Sequence, residues 1–121
     1  MKPRRLVLLV NRNRRNLALL VRYMEREGYQ TLSALNLAAF DQVLEETKHI
    51  ALALVDVTGF NPAIWECCDR LYQSTVPFLV IAPRDLPSLQ HASMTHGAQG
   101  VLVKPLVPNK LMGLVHSLVE T

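Results

Sequence analysis

Five short strand-like runs, four of them apolar throughout and separated by segments of helical periodicity, limit what this chain of 121 residues can fold into. The runs occupy residues 6–10, 29–34, 51–55, 78–81 and 101–103. Strands that are apolar throughout are covered on both faces, which is the habit of a parallel sheet. Between the runs, Leu17, Leu20, Val21 and Met24 recur at helical spacing, as do Leu37, Phe40 and Leu44. Ile64, Cys67, Cys68 and Leu71 form a third such set, and Leu111, Leu114, Val115 and Leu118 a last one. A weaker helix is predicted over residues 85–96. Gly28 and Gly97 stand where helices stop. Asn36 is placed to cap the second helix, and Asn61-Pro62 supplies a cap and a first-turn proline for the third. Five alternating β–α units predict a doubly wound α/β sandwich. The prediction is one domain over residues 1–121, without linker or repeat, so any effector domain would lie beyond residue 121.

Half of the residues are hydrophobic, enough for a core at this length. No apolar run is long enough to span a bilayer. The basic start Met1-Lys2-Pro3-Arg4-Arg5 precedes an apolar stretch too short for a signal-peptide core. Cys67 and Cys68 are adjacent and offer no disulfide framework, so a cytoplasmic, reducing location is expected. Both fit the core stripe of their helix as inert thiols.

The net charge of +3 is unevenly placed: no acidic residue precedes Glu25. Arg15, Arg22 and Arg26 fall on the solvent side of the first helix, with Arg14 nearby. Such a set can meet nucleic acid or an acidic partner. Without interleaved aromatics for base stacking, a solvated helix face is the simpler reading, and nucleic acid is not an expected partner.

In a sheet of this kind, chemistry gathers at the carboxyl ends of the strands. Those ends hold Asn11 and Arg12 after the first run, Asp56 after the third, Ala82 after the fourth and Lys104 after the fifth. A buried Asp56 needs a partner, which either Lys104 or Arg12 could supply.

Four segments carry a more specific pattern: Leu8-Leu9-Val10-Asn11-Arg12-Asn13, Leu52-Ala53-Leu54-Val55-Asp56, Pro77-Phe78-Leu79-Val80-Ile81-Ala82 and Gly97-Ala98-Gln99-Gly100-Val101-Leu102-Val103-Lys104-Pro105. In this order they resemble the receiver domains of bacterial response regulators, over essentially the whole chain. The resemblance implies a flavodoxin-like (βα)5 fold with a five-stranded parallel sheet in the order 2-1-3-4-5. It also implies a role in phosphorelay signalling downstream of a histidine kinase. In that family a carboxylate after the third strand takes a phosphoryl group, two acids after the first strand help hold Mg²⁺, and a hydroxyl and a lysine contact the phosphate. Asp56 matches the phosphoacceptor, Lys104 the lysine, and Pro105 its neighbour, whose peptide bond is usually cis.

The other positions depart from the pattern. Asn11 and Arg12 replace the acid pair, Ala82 stands where the hydroxyl belongs, and Val101 replaces a switch aromatic. Exchanging a carboxylate for Arg changes the charge by two units, each worth about 4 kcal/mol at ~4 Å in a surface-like dielectric. Mg²⁺ binding is therefore expected to be absent or very weak. Arg12 is expected to lie against Asp56 and seal the site. The predicted role is a phosphorylation-independent interaction module, not an enzyme. One alternative is a residual phosphoacceptor at Asp56. Another is a nucleotide- or flavin-binding enzyme, against which the missing Gly-rich phosphate loop counts. Met112, Val115 and Val119 mark a predicted dimer face formed by the fourth helix, fifth strand and fifth helix. Trp65 and Tyr72 sit off the core stripe of the third helix, and His91, His96 and His116 show no metal-ligand spacing.

Overall fold

The computed structural model describes residues 5–120. Most of the basic start, residues 1–4, lies outside the described residues, as does residue 121. Five strands and five helices alternate: β1 (Leu6–Val10), α1 (Arg14–Arg26), β2 (Gln30–Ala34), α2 (Leu37–Glu46), β3 (Leu52–Asp56), α3 (Ile64–Gln73), β4 (Phe78–Ala82), α4 (Pro87–Thr95), β5 (Gly100–Val103) and α5 (Pro108–Val119). The strands form one sheet in the order β2-β1-β3-β4-β5, and every pairing is parallel. Among the described residues, no helix is long and apolar enough to cross a membrane.

The strand pleat sorts the core into two halves. Leu8, Val10, Ala53, Val55, Phe78 and Val80 turn to one face, where Phe40 of α2 and Ile64, Cys67, Cys68 and Leu71 of α3 cover them. Val7, Leu9, Leu52, Leu54, Leu79 and Ile81 turn to the other, against Leu17 and Met24 of α1 and Leu111 of α5. β3 and β4 are buried along their whole length. This explains why they read as unbroken apolar runs.

The helix ends follow the local chemistry. Asn13 and Asn36 cap α1 and α2 by accepting from the N–H groups of Asn16 (2.9 Å) and Ala39 (2.8 Å). Asn61 accepts from Ala63 N–H at 2.8 Å, so the turn before α3 is built by the Asn-Pro pair, and regular helix begins at Ile64. Gly97 after α4 has φ +96°, and a Cβ there would strike the Tyr72 ring, so only glycine fits without a shift.

The phase of α5 differs from the expectation. Met112, Val115 and Val119 are core residues, 5%, 0% and 5% exposed, and they present no surface to a partner. Leu114 is exposed instead. Positions 111, 112, 114, 115, 118 and 119 are all apolar, so two overlapping stripes fit the same periodicity. Packing on the β3 side of the core, where Leu52 and Leu54 lie, selects the one that includes Met112 and Val119.

Candidate functional site

The carboxyl ends of β1, β3 and β5 converge on Asp56. It closes β3, the central strand, and is 2% exposed. Its Oδ2 receives the Lys104 ammonium at 2.7 Å and the Asn11 side-chain amide at 3.2 Å. Its Oδ1 accepts the Thr58 backbone N–H at 3.0 Å, the local turn an aspartate makes two residues ahead. Lys104 also donates to the Thr58 hydroxyl at 3.1 Å. Asn11 is used at both ends, since its Oδ1 accepts Asn13 N–H at 2.8 Å. A buried charge held this way has a cationic partner and its lone pairs satisfied, as its burial demands.

Of the two cations that the sequence offers Asp56, the fold selects Lys104. Arg12 is exposed, and its Nη1 donates to the Gly59 carbonyl at 2.6 Å. The expected Arg12–Asp56 pair does not form. Successive side chains at the end of β1 point in opposite directions, so when Asn11 turns inward Arg12 turns out. A second cation beside Lys104 would also leave a net positive charge in a buried site.

Ala82 is buried at the end of β4, and its carbonyl accepts Lys104 N–H at 3.0 Å. Its methyl provides no hydroxyl. The hydroxyl near the carboxylate belongs to Thr58, which the sequence reading did not single out. Its signal was its place two residues after a strand-ending aspartate. Val101 is half-buried and packs on the α2–α3 side of the core. The Lys104–Pro105 peptide bond is cis.

The residues do not suit Mg²⁺, a hard cation that takes oxygen ligands. Among the described residues that line the crevice Asp56 is the one carboxylate, and both of its oxygens already accept hydrogen bonds. Asn11 points an N–H at it, not an oxygen. Among the described residues no three His, Cys, Asp or Glu side chains are grouped to hold a metal.

The remaining singled-out residues are scattered. His96 lies 2.5 Å from Asp69 and stacks on Trp65, with ring centroids 5.2 Å apart. His116 lies 2.7 Å from the Tyr29 hydroxyl, while His91 and Tyr72 are exposed. The three histidines do not converge. Burial pushes the Cys67 thiol up to about 11, helped by Asp41, whose carboxylate also pairs with Arg70. It pushes Cys68 up to about 12. Arg14, Arg15, Arg22 and Arg26 are exposed along α1.

No protein-family model and no curated protein sequence matches the chain. Solved structures do. A response regulator receiver domain protein from Methanospirillum hungatei superposes with a TM-score of 0.87 at 17% identity, covering 98% of this chain and 95% of that one. The fold is that of response-regulator receiver domains. A response regulator from Thermotoga maritima gives 0.85 at 20% identity, over 98% of this chain and all of the other. A response regulator from Burkholderia pseudomallei, solved with a phosphorylated aspartic acid and a calcium ion, gives 0.82 at 19% identity over 97% of this chain and 67% of that one. The five-stranded order and the parallel sheet expected from the sequence are those of the receiver fold.

Proposed function

We propose that this chain is a receiver-like module of two-component signalling that works through protein contacts, without a phosphoryl group on Asp56 and without catalysis of its own. One observation carries this reading: the Asp56 carboxylate is closed in by Lys104, Asn11 and Thr58, with no second acid beside it. Phosphoryl transfer to a carboxylate builds up negative charge, which in the receiver family a metal ion offsets. Here the donor set offers no place for that ion, and Mg²⁺ binding is absent or very weak. Asn11, Arg12, Ala82 and Val101 then mark the loss of metal entry, of the phosphate-sensing hydroxyl and of the aromatic readout.

The test is incubation with acetyl phosphate and Mg²⁺, beside a competent receiver as control, followed by intact mass. The expected result is an unchanged mass. A gain of one phosphoryl group that disappears in Asp56→Asn would overturn the reading.

A second reading keeps Asp56 as a phosphoacceptor. It rests on Lys104, which already reaches the acid in the way the family's lysine reaches the phosphoryl group. The same experiment decides between the two.

The partner is a second copy or another protein meeting the flank of α4 and α5. Leu86 and Met94 at α4 and Val107 and Leu114 at α5 are exposed apolar side chains, and such side chains become a contact surface where they adjoin. A homodimer predicts a molar mass by light scattering that rises with concentration and stays monomeric in Leu114→Asn.

A further inference from the structure

A groove runs between α1 and the turn from β5 into α5, beside the Asp56 crevice. We infer that it binds a small amphipathic anion, an apolar body ending in a carboxylate. The groove holds about 790 Å³ and is open on one side. Pockets of ~300–1,000 Å³ suit small organic ligands. Leu19, Leu20 and Tyr23 form one wall, Leu106 and Leu111 the other, and Ile81 lies at the base. Leu19 is 57% exposed there, while Leu17 and Met24 on the core side of the same helix are buried.

The polar end of the groove is set for an anion. Lys104 lines it and has three ammonium donors, of which Asp56 and Thr58 take two. Asn16 also lines it, and its backbone N–H alone serves the helix cap. Asp56 is the one acid in the lining, and Lys104 neutralises it. By helical phase, Arg15, Arg22 and Arg26 follow the outer lip on α1. A cationic or neutral amphiphile would gain the same apolar contact but nothing from this end. An acidic helix would lie on the arginines and leave the spare Lys104 donor unused. The site belongs to the chain with an unmodified Asp56, since it uses the third donor of Lys104 and the apolar walls.

The test is titration of the ¹⁵N-labelled chain with dodecanoate, followed by amide shifts. Saturable one-to-one binding is expected below the micelle concentration, with shifts centred on Asn16, Leu19, Leu20, Tyr23, Lys104, Leu106 and Leu111. Dodecyltrimethylammonium, with the same tail and the opposite charge, is expected to bind at least about tenfold more weakly, since it cannot use the free Lys104 donor and meets the arginines of the lip, the Lys104 charge itself being balanced by Asp56. Leu19→Glu changes an exposed position, so the fold survives, and it is expected to weaken dodecanoate at least about tenfold by placing a charge in the apolar wall. No saturable shift, equal binding of the two charges, shifts centred on the arginine lip, or binding of an acidic helical peptide alone would each overturn the inference.

Discussion

The Lys104 ammonium meets the Asp56 carboxylate at 2.7 Å, reaching over the end of β4, with the acid side chain 3% exposed and the lysine 30%. Removing one member of such a pair strands the other. Lys104→Met is expected to cost about 2–4 kcal/mol, because the carboxylate stays buried without a cation. Asp56→Asn is expected to cost less, since an amide needs no counter-charge. The double variant should regain part of the loss. Urea midpoints at constant slope measure all three. Simple additivity of the two single effects would show that the pair does not stabilise the crevice.

Asn11→Asp with Arg12→Asp places two further acids beside Asp56 and removes the Gly59 tether. The variant is expected to acquire Mg²⁺ binding detectable by calorimetry, while the parent shows none. It should also lose stability in the absence of the ion, because like charges gather at one site. A variant that stays indifferent to Mg²⁺ would place the obstacle in the backbone and not in the missing acids.

The two flanks of α5 should respond in opposite ways. Met112→Ala empties core volume and is expected to cost about 2–4 kcal/mol. Leu114→Asn, on the exposed flank, is expected to stay within about 0.5 kcal/mol of the parent. Thermal melts distinguish them, and a reversed order would restore Met112 to the surface.

Cys67 and Cys68 should react slowly with a thiol reagent at neutral pH in the folded chain and quickly once it is unfolded. Their folded values, about 11 and about 12, lie above the ordinary 9.0. The unfolded chain therefore loses these protons first. The thiols' contribution is intact below pH 9 and is lost as pH climbs through the folded values. Cys68→Ala should flatten this alkaline decline in denaturation midpoints measured across that range.

Much of this architecture was legible in the residues. β1, β3 and β4 are apolar throughout because helices cover both faces of the sheet, and Asp56 and Lys104 stand out as charges at the ends of such runs. What the sequence left open was direction. Arg12 was expected against Asp56, with Lys104 as the other candidate, but the pleat at the end of β1 turns Arg12 towards Gly59 and Lys104 takes the place. Asn11 looked like a lost acid, whereas its amide serves Asp56 and Asn13 at once. On α5 a helix rich in apolar residues fitted two phases, and only packing chose one. Thr58 went unnoticed because its role depends on a tertiary contact with Lys104.

The bonds around Asp56 also tie three separate connections together. Asn11 belongs to the turn after β1, Thr58 and Gly59 to the turn after β3, and Lys104 to the turn after β5, with Arg12 crossing from the first to the second. None of the three can lift away without breaking polar contacts in another. Residues 11–13, 57–60 and 104–106 should therefore open as one cooperative unit, with a shared free energy in native-state hydrogen exchange. Messages that need one loop to move alone cannot pass through this end of the sheet.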